Sequence, residues 1–290
     1  MKVLLLGANS QIGQEIRELA YKFKVHMYAC TRQQLDITQS SCVRRYFAAI
    51  KPHYVINTAA YTAVAKAEIE KEAAFSTNAI GARNLAEAAK QFDIPLLHIS
   101  TDYVFDGRKK LAYVEEDLPN PLSVYGMSKL AGEFFIRQIW PKHIILRVSW
   151  VFGSYGNNFV KNILRLAQEK TELQVICDQI GSPSYAGDIA ETVLNLVKLI
   201  QEGCQMWGTY HFTGSPVTTW YRFAQIIVKN AKKTYNLSTK EIIPIFSSEF
   251  PTEVTRPHNS QLNCTKVKKK FNITQKNWHI GLMKLIKELA

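Results

Sequence analysis

The stretch KVLLLGANSQIG, residues 2–13, indicates the fold class. Residues 3–6 are apolar without alternation, which is typical of a strand buried on both faces of a parallel sheet. Gly7 supplies a turn, and QIGQEIRELAYKF (11–23) follows with its apolar residues at helical spacing. A strand, a glycine turn and a helix in this order predict the first unit of a doubly wound α/β fold.

The glycine spacing of this turn leaves two interpretations open. A dinucleotide-binding turn has glycine at its first, fourth and seventh places, but here Ser10 stands between Gly7 and Gly13. The stretch is therefore either a cofactor site or an ordinary turn between a strand and a helix. As a cofactor site, it predicts phosphate on the amides of the helix start, with the Ser10 hydroxyl or amide among the contacts. The cofactor contacts expected here are Gly7, Asn9, Ser10, Gln11, Ile12 and Gly13.

The first half of the chain continues the alternation of apolar strands and helical patterns. Further strands are predicted at VHMYAC (25–30), YVINTAA (54–60), IPLLHIS (94–100) and HIILRVS (143–149), and helices at SSCVRRYFAAI (40–50) and NAIGARNLAEAAKQF (78–92). This order predicts a Rossmann-type doubly wound parallel sheet with helices on both faces.

The pattern loosens after residue 150, which predicts a smaller C-terminal α/β lobe. We expect residues 1–149 to form the dinucleotide-binding domain and residues 150–290 to form mainly the substrate-binding lobe. A helix at about 187–200 and a strand at about 208–213 are expected to return to the first domain. A helix beginning at TTWYRF has a threonine in position to cap it.

The composition excludes several classes of protein. No apolar run reaches the roughly 18 residues of a membrane span, and the apolar start is too short for a secretory signal, so we expect a cytoplasmic protein without a membrane partner. The five cysteines are odd in number and form no CxxC pair, which indicates neither disulfides nor a zinc site. The net charge of +12 suits either nucleotide phosphates or nucleic acid, but no aromatic–basic alternation marks a nucleic-acid module, so no nucleic-acid partner is expected.

The end of the second strand bears on the choice of cofactor. Sites that prefer NAD place an acid there, whereas this sequence has Arg32, which favours the 2′-phosphate of NADP; a solvated surface arginine is the alternative. Asp36 and Ile37 are expected to border the adenine.

Two further elements indicate chemistry on a carbonyl group. Tyr125 and Lys129 in YGMSK are four apart on a predicted helix and face the same way, and a cation near tyrosine stabilises its phenolate. Thr101, directly after the buried fourth strand, lies at the sheet edge where ligands bind and can hydrogen-bond a carbonyl oxygen together with Tyr125.

These elements together resemble the extended short-chain dehydrogenase/reductase family. The matching segments run almost from end to end: INTAAYTAVAKAE (56–68), STDYVFDG (100–107), NPLSVYGMSKLAGE (120–133), LRVSWVFGSYGNNFVKNILRLA (146–167), VICDQIGSPSYA (175–186), YHFTGSPVTTWYRFA (210–224) and RPHNSQLN (256–263). The resemblance implies that NADPH, with NADH as the alternative, reduces the C4 keto group of dTDP-4-dehydro-L-rhamnose to give dTDP-L-rhamnose.

The resemblance also implies roles for individual residues. Thr101, Tyr125 and Lys129 would be catalytic, with Tyr125 protonating the sugar oxygen. The other implied cofactor contacts are Ala59, Ala60, Tyr61 and Lys66, and the implied substrate contacts are Thr101, Asp102, Tyr103, Val104, Trp150, Asn158 and Arg256. Two alternatives stay open: Trp150 packs in a core, and Asn157 and Asn158 cap the next helix.

The chain departs from its relatives at two places. Ala65 stands where AYTAVDKAE usually has an acid. Some relatives bind Mg²⁺ through glutamates at a dimer interface, and Glu15 matches one of them, but the position expected for a partner is Gly187. We therefore expect no metal site, and either a monomer or a homodimer.

Two other functions are compatible with the sequence. One is a reductase of another nucleotide-linked 4-keto-6-deoxysugar. The other is a non-catalytic NADP-binding partner, like the regulatory subunit of methionine adenosyltransferase, although the intact Thr101, Tyr125 and Lys129 favour catalysis.

Overall fold

A six-stranded parallel sheet, with strand order β10-β5-β4-β3-β1-β2, organises the structure. The computed structural model describes residues 1–250 and 254–290. The strands are β1 Lys2–Leu6, β2 His26–Cys30, β3 Tyr54–Asn57, β4 Leu96–Thr101, β5 His143–Val148, β6 Val151–Phe152, β7 Glu172–Ile176, β8 Ile180–Gly181, β9 Ser184–Tyr185, β10 Gly208–His211, β11 Thr218–Thr219 and β12 Glu241–Ile245.

Helices cover both faces of this sheet. The α-helices of the described chain, some on this sheet and some elsewhere, are α1 Gln11–Leu19, α2 Ser40–Ile50, α3 Val64–Ala67, α4 Lys71–Phe75, α5 Gly81–Gln91, α6 Val124–Ile139, α7 Phe159–Glu169, α8 Ala186–Gln201, α9 Trp220–Ala231, α10 Thr265–Phe271 and α11 Trp278–Glu288. Short 3₁₀ segments occur at Ala20–Phe23, Asp102–Val104 and Ser247–Glu249, and a π turn occurs at Ser76–Ile80.

The continuous apolar run of β1 is explained by the two cores that it serves. Val3 and Leu5 pack in the core under α1 and α8, whereas Leu4 and Leu6 pack in the core under α2 and α5. Successive side chains of a strand point to opposite faces, so a strand covered on both sides has no polar face. The predicted α/β class with a Rossmann-type parallel sheet is confirmed.

A third core lies in the second half of the chain. It joins α7, α9 and α11 to the parallel pair of β7 and β12. The strand β10 pairs with β5 in the main sheet, and α8 packs against α1, so these two elements lie with the first half of the chain.

Local details differ from the sequence predictions at two helices. The helix predicted over 11–23 is α-helical only to Leu19 and continues as a 3₁₀ segment. The helix predicted over 78–92 begins within the π turn Ser76–Ile80 and becomes α-helical at Gly81. Both segments keep an apolar face, and periodicity alone does not separate these helix types.

Two global features complete the fold. Within the described part of the chain, no helix is long and apolar enough to cross a membrane. All five cysteines are free thiols.

Candidate active site

A cleft of about 1840 Å³ opens at the carboxyl ends of the parallel strands. Open α/β sheets bind ligands at this edge. The cleft brings together most of the predicted site residues: Gly7, Asn9, Ser10, Gln11, Ile12, Arg32, Asp36, Ile37, Ala59, Ala60, Tyr61, Thr101, Asp102, Tyr103, Tyr125, Lys129, Trp150, Asn158 and Arg256.

Three predicted residues do not line this cleft. Gly13 lies beneath the turn, where a Cβ would approach the Gly7 carbonyl oxygen to 2.3 Å, so its contribution is close packing. Lys66 has an exposed side chain on the short helix α3. Val104 is fully buried against Phe105, because the 3₁₀ turn that contains it directs the side chain into the core. The side chains of Lys66 and Val104 thus lie away from the cleft lining, and the ligand contacts expected of these residues stay predictions.

The turn between β1 and α1 brings two backbones together. Gly7 has a φ of +76°, and a Cβ there would lie 2.4 Å from the Ala59 nitrogen. A side chain is excluded both by the left-handed backbone and by the lack of space. The turn therefore presents bare backbone to the cleft.

Ser10 has a role that its position in the motif did not reveal. Its hydroxyl accepts from the Gly13 amide at 3.0 Å as the N-cap of α1 and donates to Thr58 Oγ1 at 2.9 Å. Its amide donates to the Gly7 carbonyl. Both groups predicted to hold phosphate are thus engaged within the protein. In the described residues, the amides of Gln11 and Ile12 have no such acceptor, and they occupy the first turn of α1 beside the cleft.

The far end of the cleft carries a cation beside β2. Arg32 has a side chain 79% exposed and pairs with Asp36 at 3.5 Å. Burial raises the pKa of Asp36, but hydrogen bonds from Thr38 and the Arg32 charge outweigh it, and the pKa is lowered overall. Ile37 is buried against Gly81, where a Cβ would come within 2.6 Å of it. Arg32 is therefore a solvent-facing guanidinium side chain that lines the same end of the cleft as the apolar Ile37.

Thr101, Tyr125 and Lys129 meet at the centre of the cleft. Thr101 ends β4 and accepts a hydrogen bond from the Tyr103 amide at 3.2 Å. Tyr125 lies in the first turn of α6, which Ser123 caps, and its ring meets Tyr103 edge to face with centroids 5.5 Å apart. Lys129 follows one turn later and is 2% exposed, so all three groups sit in a desolvated setting.

Burial is the largest influence on the pKa values of Tyr125 and Lys129. It raises the pKa of Tyr125 well above its usual value, and a hydrogen bond with Thr101 lowers it in part. It lowers the pKa of Lys129 to about 8, against the opposing effect of the Glu133 charge. Lys129 Nζ donates to the Ile99 carbonyl at 2.7 Å. Thr101 is therefore the side chain that favours the Tyr125 phenolate here, and the predicted help from Lys129 stays a prediction.

Asp102 is the acid that adjoins Thr101 at this centre. Burial raises the pKa of its carboxyl to about 6, although hydrogen bonds from Ser260 and Thr101 oppose this. Its Oδ1 accepts from Thr101 at 3.1 Å, whereas its Oδ2 is buried without a hydrogen-bond partner in the described chain. An unpaired buried carboxyl oxygen is costly unless a ligand satisfies it.

Aromatic side chains form the opposite side of the cleft. Trp150 stacks on Trp220 with centroids 3.5 Å apart, and a Cβ at Gly181 would lie 2.4 Å from its indole. It has a φ of +47°, an unusual backbone for a bulky residue. Trp150 therefore packs and lines the cleft at once, so the two alternatives for it are compatible. Arg256 lies on the exposed rim.

Asn158 follows the capping alternative. Its Oδ1 accepts from the Lys161 amide at the start of α7, and its Nδ2 donates to Gly153 O and to Gln11 Oε1. The side chain thus ties the start of α7 to the first residue of α1, and its polar atoms are already engaged.

Several residues of the site gave no usable sequence signal. Asn78 accepts from the Tyr61 amide and donates to Tyr61 O and Ser128 Oγ, and so joins the loop after β3 to α6. Glu133 accepts from Ser100 and pairs with Arg147 at 2.7 Å, both fully buried. Only the four-residue spacing from Lys129 to Glu133 could have suggested a link.

The surroundings of Glu15 do not fit a metal ion. Burial raises its pKa to about 7, opposed by the ammonium of Lys284, which already supplies a positive charge. At Gly187 a Cβ would lie 2.5 Å from the Tyr185 ring, so no carboxylate fits there. Among the residues that the structure describes, no three His, Cys, Asp or Glu side chains are grouped to hold a metal.

Comparisons with known proteins give one consistent answer. The family model described as the RmlD substrate binding domain matches residues 1–290. The chain is 42% identical over 284 residues to the dTDP-4-dehydrorhamnose reductase of Aggregatibacter actinomycetemcomitans, covering 97% of each chain. It is 37% identical over 296 residues to the enzyme of the same name from Escherichia coli K12, covering 100% of this chain and 98% of that one.

Solved structures agree with the sequence relatives. The dTDP-4-dehydrorhamnose reductase of Bacillus anthracis, in complex with NADP, is similar with a TM-score of 0.91 and 36% identity, covering 99% of both chains. That of Clostridium acetobutylicum has a TM-score of 0.93 and 38% identity, covering 100% of this chain and 99% of the other.

Proposed function

The chain belongs to the RmlD substrate-binding domain family, and we propose that it is an NADPH-dependent reductase that converts dTDP-4-dehydro-L-rhamnose to dTDP-L-rhamnose. The observation that carries this proposal is the meeting of Thr101, Tyr125 and Lys129 in the cleft that also contains the glycine turn. The relatives named dTDP-4-dehydrorhamnose reductase and the NADP complex of one of them support it.

The residues present suit a dinucleotide. The free amides of Gln11 and Ile12 at the start of α1 would hold its phosphates, because the helix dipole favours negative charge there. Gly7 permits close approach of the pyrophosphate. Arg32 would face the 2′-phosphate, which favours NADPH over NADH. When bound, the nicotinamide supplies the hydride that adds to C4 of the sugar.

Tyr125 would complete the reaction by protonating the C4 oxygen. Its raised pKa keeps the phenol protonated at neutral pH, as a proton donor requires. Thr101 would hydrogen-bond the same oxygen, and the buried setting strengthens that bond as negative charge develops. Lys129 would hold positive charge next to the phenolate that remains.

The aromatic side of the cleft, opposite the catalytic centre, would orient the sugar nucleotide. Trp150, braced by Trp220, offers a flat apolar face to the deoxysugar. Asp102 Oδ2 would bind a sugar hydroxyl, and Arg256 would face the diphosphate. We propose accordingly that residues 1–149 bind mainly the cofactor and residues 150–290 mainly the substrate. Asn158, whose polar atoms are engaged, would shape the cleft rather than contact the sugar.

The proposal also extends to the compartment and the oligomeric state of the enzyme. Five free thiols are compatible with a reducing compartment, and we place the enzyme in the cytoplasm, as a monomer or a homodimer.

The test is NADPH oxidation with dTDP-4-dehydro-L-rhamnose. The wild-type protein should turn over and give dTDP-L-rhamnose by NMR, whereas Tyr125→Phe should lose ~10²–10⁴ in kcat. Tyr28→Phe, on β2 outside the cleft, is the matched control and should keep full activity. No turnover by the wild type refutes the function. A different product sugar would identify a reductase of another nucleotide-linked 4-keto-6-deoxysugar. Full activity of Tyr125→Phe refutes the assigned mechanism.

A further inference from the structure

A buried polar chain runs beneath Lys129 and ends on its ammonium group. Asn57, at the end of β3, contacts His98 of β4, with 2.9 Å between Asn57 Nδ2 and His98 Nδ1. On the other side of the ring, His98 Nε2 lies 3.3 Å from Lys129 Nζ. Asn57 and His98 are each 1% exposed, so these groups have no access to water as an alternative partner.

The orientation of the Asn57 amide is fixed by the backbone. Asn57 Oδ1 accepts from the Ala59 amide at 3.0 Å, and a flipped amide would set two donors against each other there. The Asn57 NH₂ group therefore points at His98 Nδ1 and donates to it. Nδ1 must then be the unprotonated nitrogen, and the ring of a neutral His98 carries its proton on Nε2.

The ring is neutral because of where it lies. Burial holds the pKa of His98 well below its ordinary value, and the charges of Lys129 and the ring of His143 act in the same direction. Glu133, on the next turn of α6, opposes them without reversing the result. These are the titratable groups that act on His98 from β5 and α6.

A conflict follows at Lys129. The His98 Nε2–H is a donor, and it faces an ammonium group that has only donors. One ammonium N–H is used by the Ile99 carbonyl at 2.7 Å, but the contact with His98 is matched only when Nζ has a lone pair. The neutral amine of Lys129 could donate to the Ile99 carbonyl and accept from His98 Nε2–H. The ammonium group instead sets one of its own N–H donors against His98 Nε2–H.

We propose that His98 is a positioning residue which, held by Asn57 with its proton on Nε2, favours release of the Lys129 proton. This inference rests on the proposed function for its catalytic consequence. When Tyr125 has given its phenolic proton to the sugar oxygen, a Lys129 N–H bond breaks and that proton restores the phenol. The Lys129 lone pair then accepts from His98 Nε2–H, and a solvent proton later restores the ammonium.

The lowered proton affinity of Lys129 agrees with this geometry. Burial brings the pKa of Lys129 to about 8, and Glu133 is the charged group that opposes the shift. Because the protonated form is the proton source, the reduction rate should be full below this pKa and should fall as pH rises through about 8.

The first measurement needs no variant and no substrate. Nitrogen-15 NMR of the histidine rings reports which nitrogen of His98 carries the proton, and we expect Nε2. A proton on Nδ1 overturns the proposal. Because this readout does not depend on turnover, it separates a failure of this inference from a failure of the proposed reductase activity.

The second measurement reverses the tautomer. In Asn57→Asp the carboxylate can still accept from Ala59 but draws the His98 proton to Nδ1, so Nε2 becomes an acceptor for Lys129. The titration of Lys129, followed by NMR of nitrogen-15-labelled lysine, should move upward by roughly one pH unit, and the falling limb of kcat should move with it. An unchanged or lower midpoint overturns the proposal.

Two controls test whether the effect of Asn57→Asp reaches Lys129 through the His98 ring. Asn195→Asp makes the same charge change on α8, outside the main cleft, and should leave the Lys129 midpoint in place. In the His98→Phe background, Asn57→Asp should no longer shift Lys129, because the ring that transmits the change is gone. A full shift in that background means that the charge acts directly, which overturns the role of His98.

Discussion

Removing the Thr101 hydroxyl tests how the site favours the charged form of Tyr125. Thr101→Val keeps the shape of the side chain and deletes one donor and two acceptor positions. The hydroxyl donates to Asp102 Oδ1 at 3.1 Å and accepts from the Tyr103 amide at 3.2 Å. When the same proton is turned to Tyr125 instead, that hydrogen bond lowers the pKa of Tyr125 against the effect of burial.

The expected loss divides into a stability part and a catalytic part. The bond to the Tyr103 amide caps the 3₁₀ turn Asp102–Val104, and loss of such a cap lowers the free energy of unfolding by about 1 kcal/mol. The catalytic part is larger, because Thr101 would donate to an oxygen that gains negative charge only during the reaction. Loss of one such donor lowers kcat by ~10²–10³ and leaves KM nearly unchanged.

The assay is NADPH oxidation under saturating substrate, with urea unfolding measured on the same preparations. Thr101→Ser keeps the hydroxyl and should recover most of kcat. Thr192→Val is the matched control: its buried hydroxyl donates to the Asp188 carbonyl within α8, away from the cleft, so the change should affect unfolding alone. A wild-type kcat in Thr101→Val, or a loss confined to KM, would refute the reasoning.

Three other changes have expected outcomes of different kinds. Arg32→Ala should lower kcat/KM for NADPH by roughly 10–100-fold, because a charged hydrogen bond to phosphate is lost, and should spare NADH; equal losses with both cofactors contradict the assignment. Glu133→Gln should lower the free energy of unfolding in urea by about 3–5 kcal/mol at neutral pH, since Arg147 stays buried without its partner. Burial opposes ionisation of Glu133, but Arg147 holds its pKa at about 2, below the unfolded value of about 4.3. The stability from this pair is therefore present above pH ~4.3 and lost as pH falls toward 2, where wild type and variant should converge. The pH dependence of stability is opposite for Glu15. Its pKa is raised to about 7, so its charge destabilises the fold as pH rises through that value. Glu15→Gln should raise the Tm by roughly 2–4 °C at alkaline pH and leave it unchanged at acid pH, as calorimetry would show.

The sheet could be predicted because its signal is local. The strand β1 is a continuous apolar run from Val3 to Leu6, and the helix predicted at SSCVRRYFAAI coincides with α2, Ser40–Ile50. The threonine cap predicted within TTWYRF (218–223) is Thr219, which accepts from the Arg222 amide. Each of these features is decided by neighbours within a few residues in sequence.

The π turn before α5 could not be predicted, since its cause lies on another helix. Gly132 of α6 approaches the Asn78 carbonyl so closely that a Cβ would stand 2.2 Å from it. This contact and the Asn78 side-chain bond to Ser128 Oγ join segments some fifty residues apart. Helical periodicity records which side of a segment is apolar, but it does not record where a second backbone will pass.

The buried ion pair of Glu133 and Arg147 could not be predicted either, since its partners come from different elements of the fold. Glu133 and Arg147 look like surface residues in the sequence, because their types are seldom fully buried without a partner. The fold brings them together across α6 and β5, and Ser100 of β4 donates to Glu133 as well. Sequence spacing can place a polar residue at the end of a strand, but it cannot say which neighbour will complete its hydrogen bonds.

The missing middle glycine of the first turn shows how a local rule and a tertiary contact combine. A glycine at position 10 would leave the Gly13 amide without its side-chain cap and would remove the donor to Thr58 Oγ1, because the Ser10 hydroxyl serves both. Thr58 in turn donates to the Gly7 carbonyl at 3.0 Å, so Ser10 ties the start of α1 to the loop after β3. With the Ser10 groups engaged, the unpaired donors of the helix start are the next two amides, at Gln11 and Ile12. Under the proposed function, Ser10 would act on a bound phosphate through the backbone that it holds in place, so the turn could serve a dinucleotide without the usual glycine.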